Sequence, residues 1–250
     1  MIPVLSGPVM RPRVVAVLCA FNEAETAPGV VRRLLEAGAE VLVVDDDSPD
    51  GTAVVVSRFA DAGLPVRVAV RAARSFGGAL LTGLRLAVRS PSPDFVLQLD
   101  ADGSHPPEVL DEMLRAACGA DLVIASRFVP GGSCALPGGR LAVSRVAALT
   151  FRWAAGCGVR DPTSGMRLWR ASFLSRLAAS RIHCRGFAVQ LALLARALRA
   201  RARVREVPLP YASRTAGASK MRPWMAAEAL CVLARAAASA AMGDSTCRCP

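Results

Sequence analysis

The sequence predicts an α/β fold in which a mostly parallel sheet is flanked by helices. Three observations carry this. Short runs rich in Val, Leu and Ile recur along the first half of the chain, helix-length stretches separate them, and acidic or polar residues gather just past the ends of the runs. A strand buried on both faces reads as continuously apolar rather than alternating, which marks a parallel sheet covered on both sides. Such sheets bind ligands beyond the carboxyl ends of their strands.

Taken in order, Arg13–Leu18, Glu40–Val44, Val66–Val70, Phe95–Leu99 and Asp121–Ala125 are expected strands. Between them lie Glu25–Ala37, Thr52–Ala62, Gly78–Val88 and Pro107–Ala117, each long enough for the crossover that parallel pairing requires. Beyond Ser126 come a loop from Pro130 to Gly139, a helix over Leu141–Ala155, a polar segment Arg160–Gly165, a helix near Ala188–Ala200, a strand near Val204–Pro208 and a polar loop through Lys220. The last helix is expected over Pro223–Met242. Met225, Ala229, Val232, Leu233, Ala236 and Ala240 share one of its faces, and Glu228, Arg235 and Ser239 form a narrow polar stripe, an amphipathic pattern.

Composition excludes several classes. The 250 residues carry a net charge of +11, and 53% of them are hydrophobic, far too many for a disordered chain. The longest stretch without Asp, Glu, Lys or Arg is Phe128–Gly139, rich in Gly and Pro and well short of the ~20 apolar residues of a membrane span. The first ten residues do not resemble a secretory signal, so a cytosolic protein is the default. Eight cysteines include no CxxC pair and only two histidines accompany them, so free thiols fit better than a zinc site. The basic balance suits nucleic acid, an anionic membrane face or a phosphorylated substrate. The aromatics are scattered with no nucleic-acid motif among them, which disfavours a specific nucleic-acid partner.

The sharpest signal is Asp100-Ala101-Asp102 at a strand end. Residues two apart on an extended backbone point to the same side, and two such carboxylates repel unless a hard cation such as Mg²⁺ or Mn²⁺ sits between them. The alternative is a polar turn before a helix starting at Pro106-Pro107. Asp45-Asp46-Asp47-Ser48-Pro49-Asp50-Gly51-Thr52 offers acids to ribose hydroxyls or to a base, while one of them, Asp50, suits the cap of the helix near Thr52. Phe21-Asn22-Glu23 places an aromatic and an acid beside a nucleobase, or Glu23 in the first turn of a helix. Gly77-Gly78 suits close approach of backbone to phosphate, but no GxGxxG or GxxxxGK[ST] occurs, which argues against dinucleotide and P-loop chemistry. Arg127, Arg145, Arg160, Arg214 and Lys220 are the loop cations suited to phosphate, Lys220 being the chain's single lysine. His105, between Ser104 and Pro106, reads as a loop-orienting residue rather than a base.

Together these residues resemble the family-2 inverting glycosyltransferases of GT-A (Rossmann-like) fold, and among them the dolichol-phosphate or polyprenol-phosphate mannose synthases. The likeness runs from about Val14 to Met221. It rests on Ala20-Phe21-Asn22-Glu23, Val43–Thr52 (VVDDDSPDGT), Asp100–Glu108 (DADGSHPPE), Ser126-Arg127-Phe128 with Pro130-Gly131-Gly132, Ser144-Arg145, Arg160–Arg167 (RDPTSGMR) and Ser219-Lys220-Met221. The resemblance implies a catalytic domain over residues 1–222, and a lipid acceptor gives the helix and tail of 223–250 a place in a membrane interface or on a membrane partner, the alternative being a terminal helix packed on the sheet.

It implies a nucleotide-sugar donor, GDP-mannose, held near Ala20 and Phe21 with Glu23 and Asp46 on base and ribose. Asp100 and Asp102 would hold Mg²⁺ or Mn²⁺ on the diphosphate, with Ser104 at a third metal-facing position, and Asp100, Asp102 and Arg127 as the catalytic set. Arg127, Arg145, Arg214 and Lys220 would bind donor and acceptor phosphates, and Asp161 and Ser164 belong to a further family motif. The acceptor would be a polyprenyl monophosphate, met at the cytoplasmic face of a membrane or through a small membrane partner. The chain departs from the family at Cys19, Asp47, Ser75 and Ala192, the last where an acid is often found. A phosphate with a second pKa near ~6 is already largely dianionic and needs no strong base, so Ala192 favours a phosphate acceptor over an alcohol. The rival readings are another nucleotide sugar such as UDP-glucose, and a catalytically silent nucleotide-sugar-binding subunit.

Overall fold

The computed structural model describes residues 11–89, 93–135, 138–178, 182–211 and 223–241. Strands β1 (Val14–Ala20), β2 (Glu40–Asp45), β3 (Val66–Val70), β4 (Phe95–Asp100), β5 (Leu122–Ser126), β7 (Arg167–Arg170) and β8 (Val204–Pro208) form one sheet in the order β3-β2-β1-β4-β7-β5-β8. All neighbours are parallel except β7, which runs antiparallel between β4 and β5. A two-residue pair, β6 (Ser133–Cys134) with β9 (Pro210–Tyr211), lies beside it.

Helices α1 (Ala27–Glu36), α2 (Thr52–Asp61), α3 (Phe76–Ala87), α4 (Leu110–Ala116), α5 (Gly138–Ala155), α6 (Ala171–Ala178), α7 (Ala188–Arg199) and α8 (Pro223–Ala241) cover both faces. Alternation along β1 divides the core. Val15 and Val17 pack with α3, α6 and α7 on one side, and Val14, Ala16 and Leu18 pack with α1 and α4 on the other. Each buried valine or leucine contributes roughly 1.5–3 kcal/mol, so the sheet is the rigid part of the molecule.

The expected strands and crossover helices are all present, with shifted ends. The stretch expected as a helix from Pro107 opens with a 3₁₀ turn, Pro107–Val109, because two consecutive prolines withhold backbone donors. The polar segment was not expected to lead into a strand or helix, yet β7 and α6 follow it. The sequence Arg-Leu-Trp-Arg looks exposed at both ends, whereas Arg167, Leu168 and Trp169 are all buried.

The last helix is present, and the middle of its expected apolar face packs inward, while the polar stripe and the flank differ from expectation. Val232, Leu233 and Ala236 are buried as α8 packs on α5 and α7. Glu228, expected on the polar stripe, accepts the Arg185 and Gly186 N–H groups at 2.7 and 2.8 Å, while Leu230 is 65% exposed. No helix among the described residues is long and apolar enough to cross a membrane. Cys19, Cys118, Cys134, Cys157, Cys184 and Cys231 are free thiols.

Candidate active site

Register brings the acidic strand ends together. Ala20 lies beside Asp45 across β1 and β2, and Cys19 lies beside Asp100 across β1 and β4. After β2, Asp45 accepts both the backbone N–H and the hydroxyl of Ser48. Asp46 pairs with the Arg71 guanidinium and accepts the Ser75 N–H at 2.8 Å, while its own N–H donates to Ala20 O. Burial pushes the Asp46 carboxyl up, against the pull of the Ser75 N–H and Arg71. Asp50 does serve α2, one residue before the Gly51 cap, by accepting the Thr52 N–H at 3.0 Å. It also accepts the Ala24 N–H, and so fastens the β1 loop to the β2 loop. Asn22 and Asp47 take left-handed backbone, which Asn and Asp tolerate better than other side chains, so aspartate at 47 suits the turn found there.

Phe21 lies under the Arg74 guanidinium at 5.2 Å, and Glu23 accepts the Thr26 hydroxyl at 2.8 Å. Glu23 is half-buried and lies ahead of the Thr26 cap, so it is not in the first turn of α1, which carries no acid, because that helix starts only at Ala27. Gly77 and Gly78 serve packing rather than an approach to phosphate. A side chain at Gly77 would strike the Cys184 carbonyl, and one at Gly78 would strike Arg71 and Ser75.

After β4, Asp102 is buried and accepts the Ser104 N–H at 3.1 Å and the Ser104 hydroxyl at 2.6 Å. Ser104 thus orients Asp102. His105 Nδ1 accepts the Asp100 N–H at 3.2 Å and lies 3.7 Å from the Asp100 carboxylate, so the ring does orient this loop. Among the described residues no group of three or more His, Cys, Asp or Glu is placed to hold a metal ion. Two aspartates with oxygen donors alone suit a hard cation that takes its remaining ligands from phosphate and water, as Mg²⁺ and Mn²⁺ do. Asp100 and Asp102 therefore fit the implied ion.

The opposite wall comes from the second half of the chain. Arg127 forms a bidentate pair with fully buried Asp161, Nε and Nη2 each at 2.7 Å, and Nη2 also donates to Ser144 and Thr163. Burial disfavours the Arg127 charge, but Asp161 outweighs it and the pKa ends above its ordinary value. Ser164 donates to Ala125 O, and Gly165 lies so near that a Cβ there would come within 3.0 Å of His105 and 3.4 Å of the Asp100 carboxylate. A side chain at 165 would have to press the His105 ring aside by a few tenths of an ångström, so glycine suits the close packing of the Arg160–Gly165 segment against Asp100. That segment is fixed by Arg167, which donates to the carbonyls of Pro162, Ser164 and Gln190 at 2.7, 3.0 and 2.8 Å. Burial pushes this guanidinium down to about 9, still charged at neutral pH.

Between the chain after β5 and helix α5 lies a cleft of about 540 Å³. Its lining includes Arg127, Arg145, Arg152 and Arg160, with Phe128 and Leu149, and no acid. The Arg152 Nε atom is buried with no hydrogen-bond partner among the described residues. Converging guanidinium groups without a carboxylate invite an anion of phosphate type.

The structure thus gathers Ala20, Phe21, Glu23 and Asp46 at one set of strand ends, Asp100, Asp102 and Ser104 at the next, and Arg127 and Arg145 in the cleft. Asp161 and Ser164 support the wall between. Arg214 and Lys220 lie outside the described residues. Sequence reasoning missed Arg71, Arg152, and Gln98, which donates to Gln190 at 2.8 Å and accepts the Trp169 indole N–H beneath the site. Gln98 had a signal, as the one polar residue inside a buried strand; Arg152 had none.

The chain is 38% identical over 216 residues to the polyprenol monophosphomannose synthase of Mycolicibacterium smegmatis, covering 84% of this chain and 81% of that one. It is 37% identical over 222 residues to the undecaprenyl-phosphate mannosyltransferase of Micrococcus luteus, covering 87% and 91%. Among solved structures, glucosyl-3-phosphoglycerate synthase from Mycobacterium tuberculosis, in complex with Mn²⁺ and UDP-glucose, superposes with a TM-score of 0.61 at 21% identity over 93% of this chain and 79% of that one. That likeness bears out the GT-A-like fold. Residues 15–176 match the family model described as glycosyl transferase family 2, and with that match and those relatives the chain belongs to glycosyl transferase family 2 and is a glycosyltransferase.

Proposed function

We propose that the chain transfers mannose, with inversion, from GDP-mannose to a polyprenyl (dolichyl-type) monophosphate, giving polyprenyl-phosphate mannose at the cytoplasmic face of a membrane. The observation that carries this reading is the acid-free arginine cleft, joined to the paired aspartates by the Arg160–Gly165 segment. The two relatives named for lipid-phosphate mannosylation support the choice of sugar and acceptor.

The nucleoside lies where the ends of β1 and β2 meet, against Ala20, Phe21, Glu23 and Asp46. Asp100 and Asp102 are the residues that would hold Mg²⁺ or Mn²⁺, which supplies positive charge to the diphosphate as it leaves. Arg145, Arg152 and Arg160 hold the acceptor phosphate, Arg127 braces that wall through Asp161, and Arg214 and Lys220 complete the phosphate set. An acceptor oxygen attacks the anomeric carbon, the bond from that carbon to the diphosphate oxygen breaks, and its electron pair leaves with GDP. The nucleophile is already anionic, so no base is needed where Ala192 stands. Gln190 beside it is committed to Gln98.

A radiolabelled transfer assay with GDP-mannose, UDP-glucose and a defined polyprenyl phosphate tests this. Product from GDP-mannose, lost on chelation and reduced about a thousandfold or more by Asp102→Ala, is the expected result. Product from UDP-glucose alone, or full activity in Asp102→Ala, refutes it.

A further inference from the structure

We propose that the outward face of α5 seats the protein on an anionic lipid surface, with the arginine cleft opening at the edge of that seat. The inference deepens the reading above, because a polyprenyl phosphate reaches the cleft from a bilayer. Its own observations are separate.

Val143, Val146, Leu149 and Trp153 follow one another at spacings of three, three and four, which places them on one side of the helix. They are 60, 63, 61 and 84% exposed, while Ala148, Phe151 and Ala154 on the opposite side are buried in the core. A four-residue apolar stripe ending in an exposed tryptophan is what a membrane interface accommodates, since indole prefers the headgroup level. Charge selects the same occupant. Gly138–Ala155 contains no Asp or Glu, and Arg145 and Arg152, seven residues apart, run along one flank of the stripe. Both line the cleft, as does Leu149, so stripe and cleft share an edge. A second copy of the chain is a poor occupant, because two-fold packing of α5 on α5 would set arginine against arginine with no acid on either helix. Phospholipid headgroups supply the missing anions, and acyl chains take the stripe.

The sequence leaves the last helix two places, a membrane interface or the protein's own sheet. In the structure Val232, Leu233 and Ala236 of the expected apolar face of α8 pack into the protein and Trp224 and Leu230 stay exposed on that helix, whereas α5 exposes four large apolar side chains in a single stripe.

The test uses the full chain and vesicles of phosphatidylcholine with about a third phosphatidylglycerol, compared with phosphatidylcholine alone. Flotation should show binding that requires the anionic lipid and that Val146→Glu/Trp153→Ser weakens about tenfold or more. The thermal midpoint, and the rate of transfer to a short polyprenyl phosphate in detergent, should be unchanged. Independently of that variant's folding, brominated lipid should quench the fluorescence of the unaltered chain, and Trp153→Phe should remove that quenching. Equal vesicle binding by the double variant, or no quenching by brominated lipid, overturns the proposal. So does a dimer of the unaltered chain that the double variant splits without loss of vesicle binding. Vesicle binding that needs the stripe in a chain with no transferase turnover upholds the seat and sinks the proposed reaction.

Discussion

At the ends of β1, β2 and β4 the buried carboxylates are supplied with partners by the chain itself, Asp45 by Ser48, Asp46 by Arg71 and Ser75, and Asp102 by Ser104. Across the site, Arg145, Arg152 and Arg160 share a cleft with no acid in its lining, and no carboxylate among the described residues pairs with any of the three. Arg127 is the boundary between the two regimes, lining the cleft yet held by Asp161. The acidic wall is therefore preorganised, its shape fixed before anything binds, while the basic wall is electrostatically incomplete. Like charges at close range repel unless an anion or solvent screens them, so this wall gains most from a bound phosphate. On the proposed reading, donor and acceptor would be separated by the state of the side chains that meet them.

The largest predicted effect concerns what holds the basic wall in place. Arg167→Met removes three bonds to backbone carbonyls and should lower stability by about 3–5 kcal/mol, read as a fall in thermal midpoint. A variant that melts with the unaltered chain would mean that the Arg160–Gly165 segment is held by something else. A smaller effect tests the division itself. Arg145→Gln should raise KM for lipid phosphate about tenfold with the donor KM unchanged, and Asp46→Asn should do the reverse. If either substitution moves both constants together, the walls are not separate binding surfaces. The smallest effect lies on the acidic side, where Asp50→Ala should cost about 1 kcal/mol by taking an acceptor from the start of α2. Burial raises the Asp50 carboxyl, but the Thr52 and Ala24 hydrogen bonds outweigh it and hold the pKa below its ordinary value. Its contribution is then complete above the unfolded value of roughly 4 and is lost as pH falls through the lower folded value. An acid denaturation profile that Asp50→Ala leaves unshifted would remove this carboxylate from the ledger of internally paired groups.

How much was legible follows from the range of the interactions. The strands β1 to β5, the crossover helices and the acids at Asp45–Asp50 and Asp100–Asp102 were readable, because periodicity and turn chemistry are local. The bond from the start of α2 to Asp50, though Gly51 rather than Asp50 is the cap residue, and the loop-orienting place of His105 were readable for the same reason. β7 was not, since four residues flanked by arginines carry no strand signal of their own and become a strand only by pairing with Phe95–Gln98 and Leu122–Ile124. Gly77 offered two meanings in sequence, and only the Cys184 carbonyl beside it chose between them.

The amino-acid sequence by itself determined the α/β class, the order of its crossovers and the acid-bearing strand ends, because each depends on residues within a turn or two of one another. Tertiary structure decided which arginines face one cleft, that Gly165 brings the second wall to Asp100, and that α5 exposes Val143, Val146, Leu149 and Trp153 in one stripe. Those outcomes depend on contacts between segments far apart in the chain, and only the packed sheet brings them within reach.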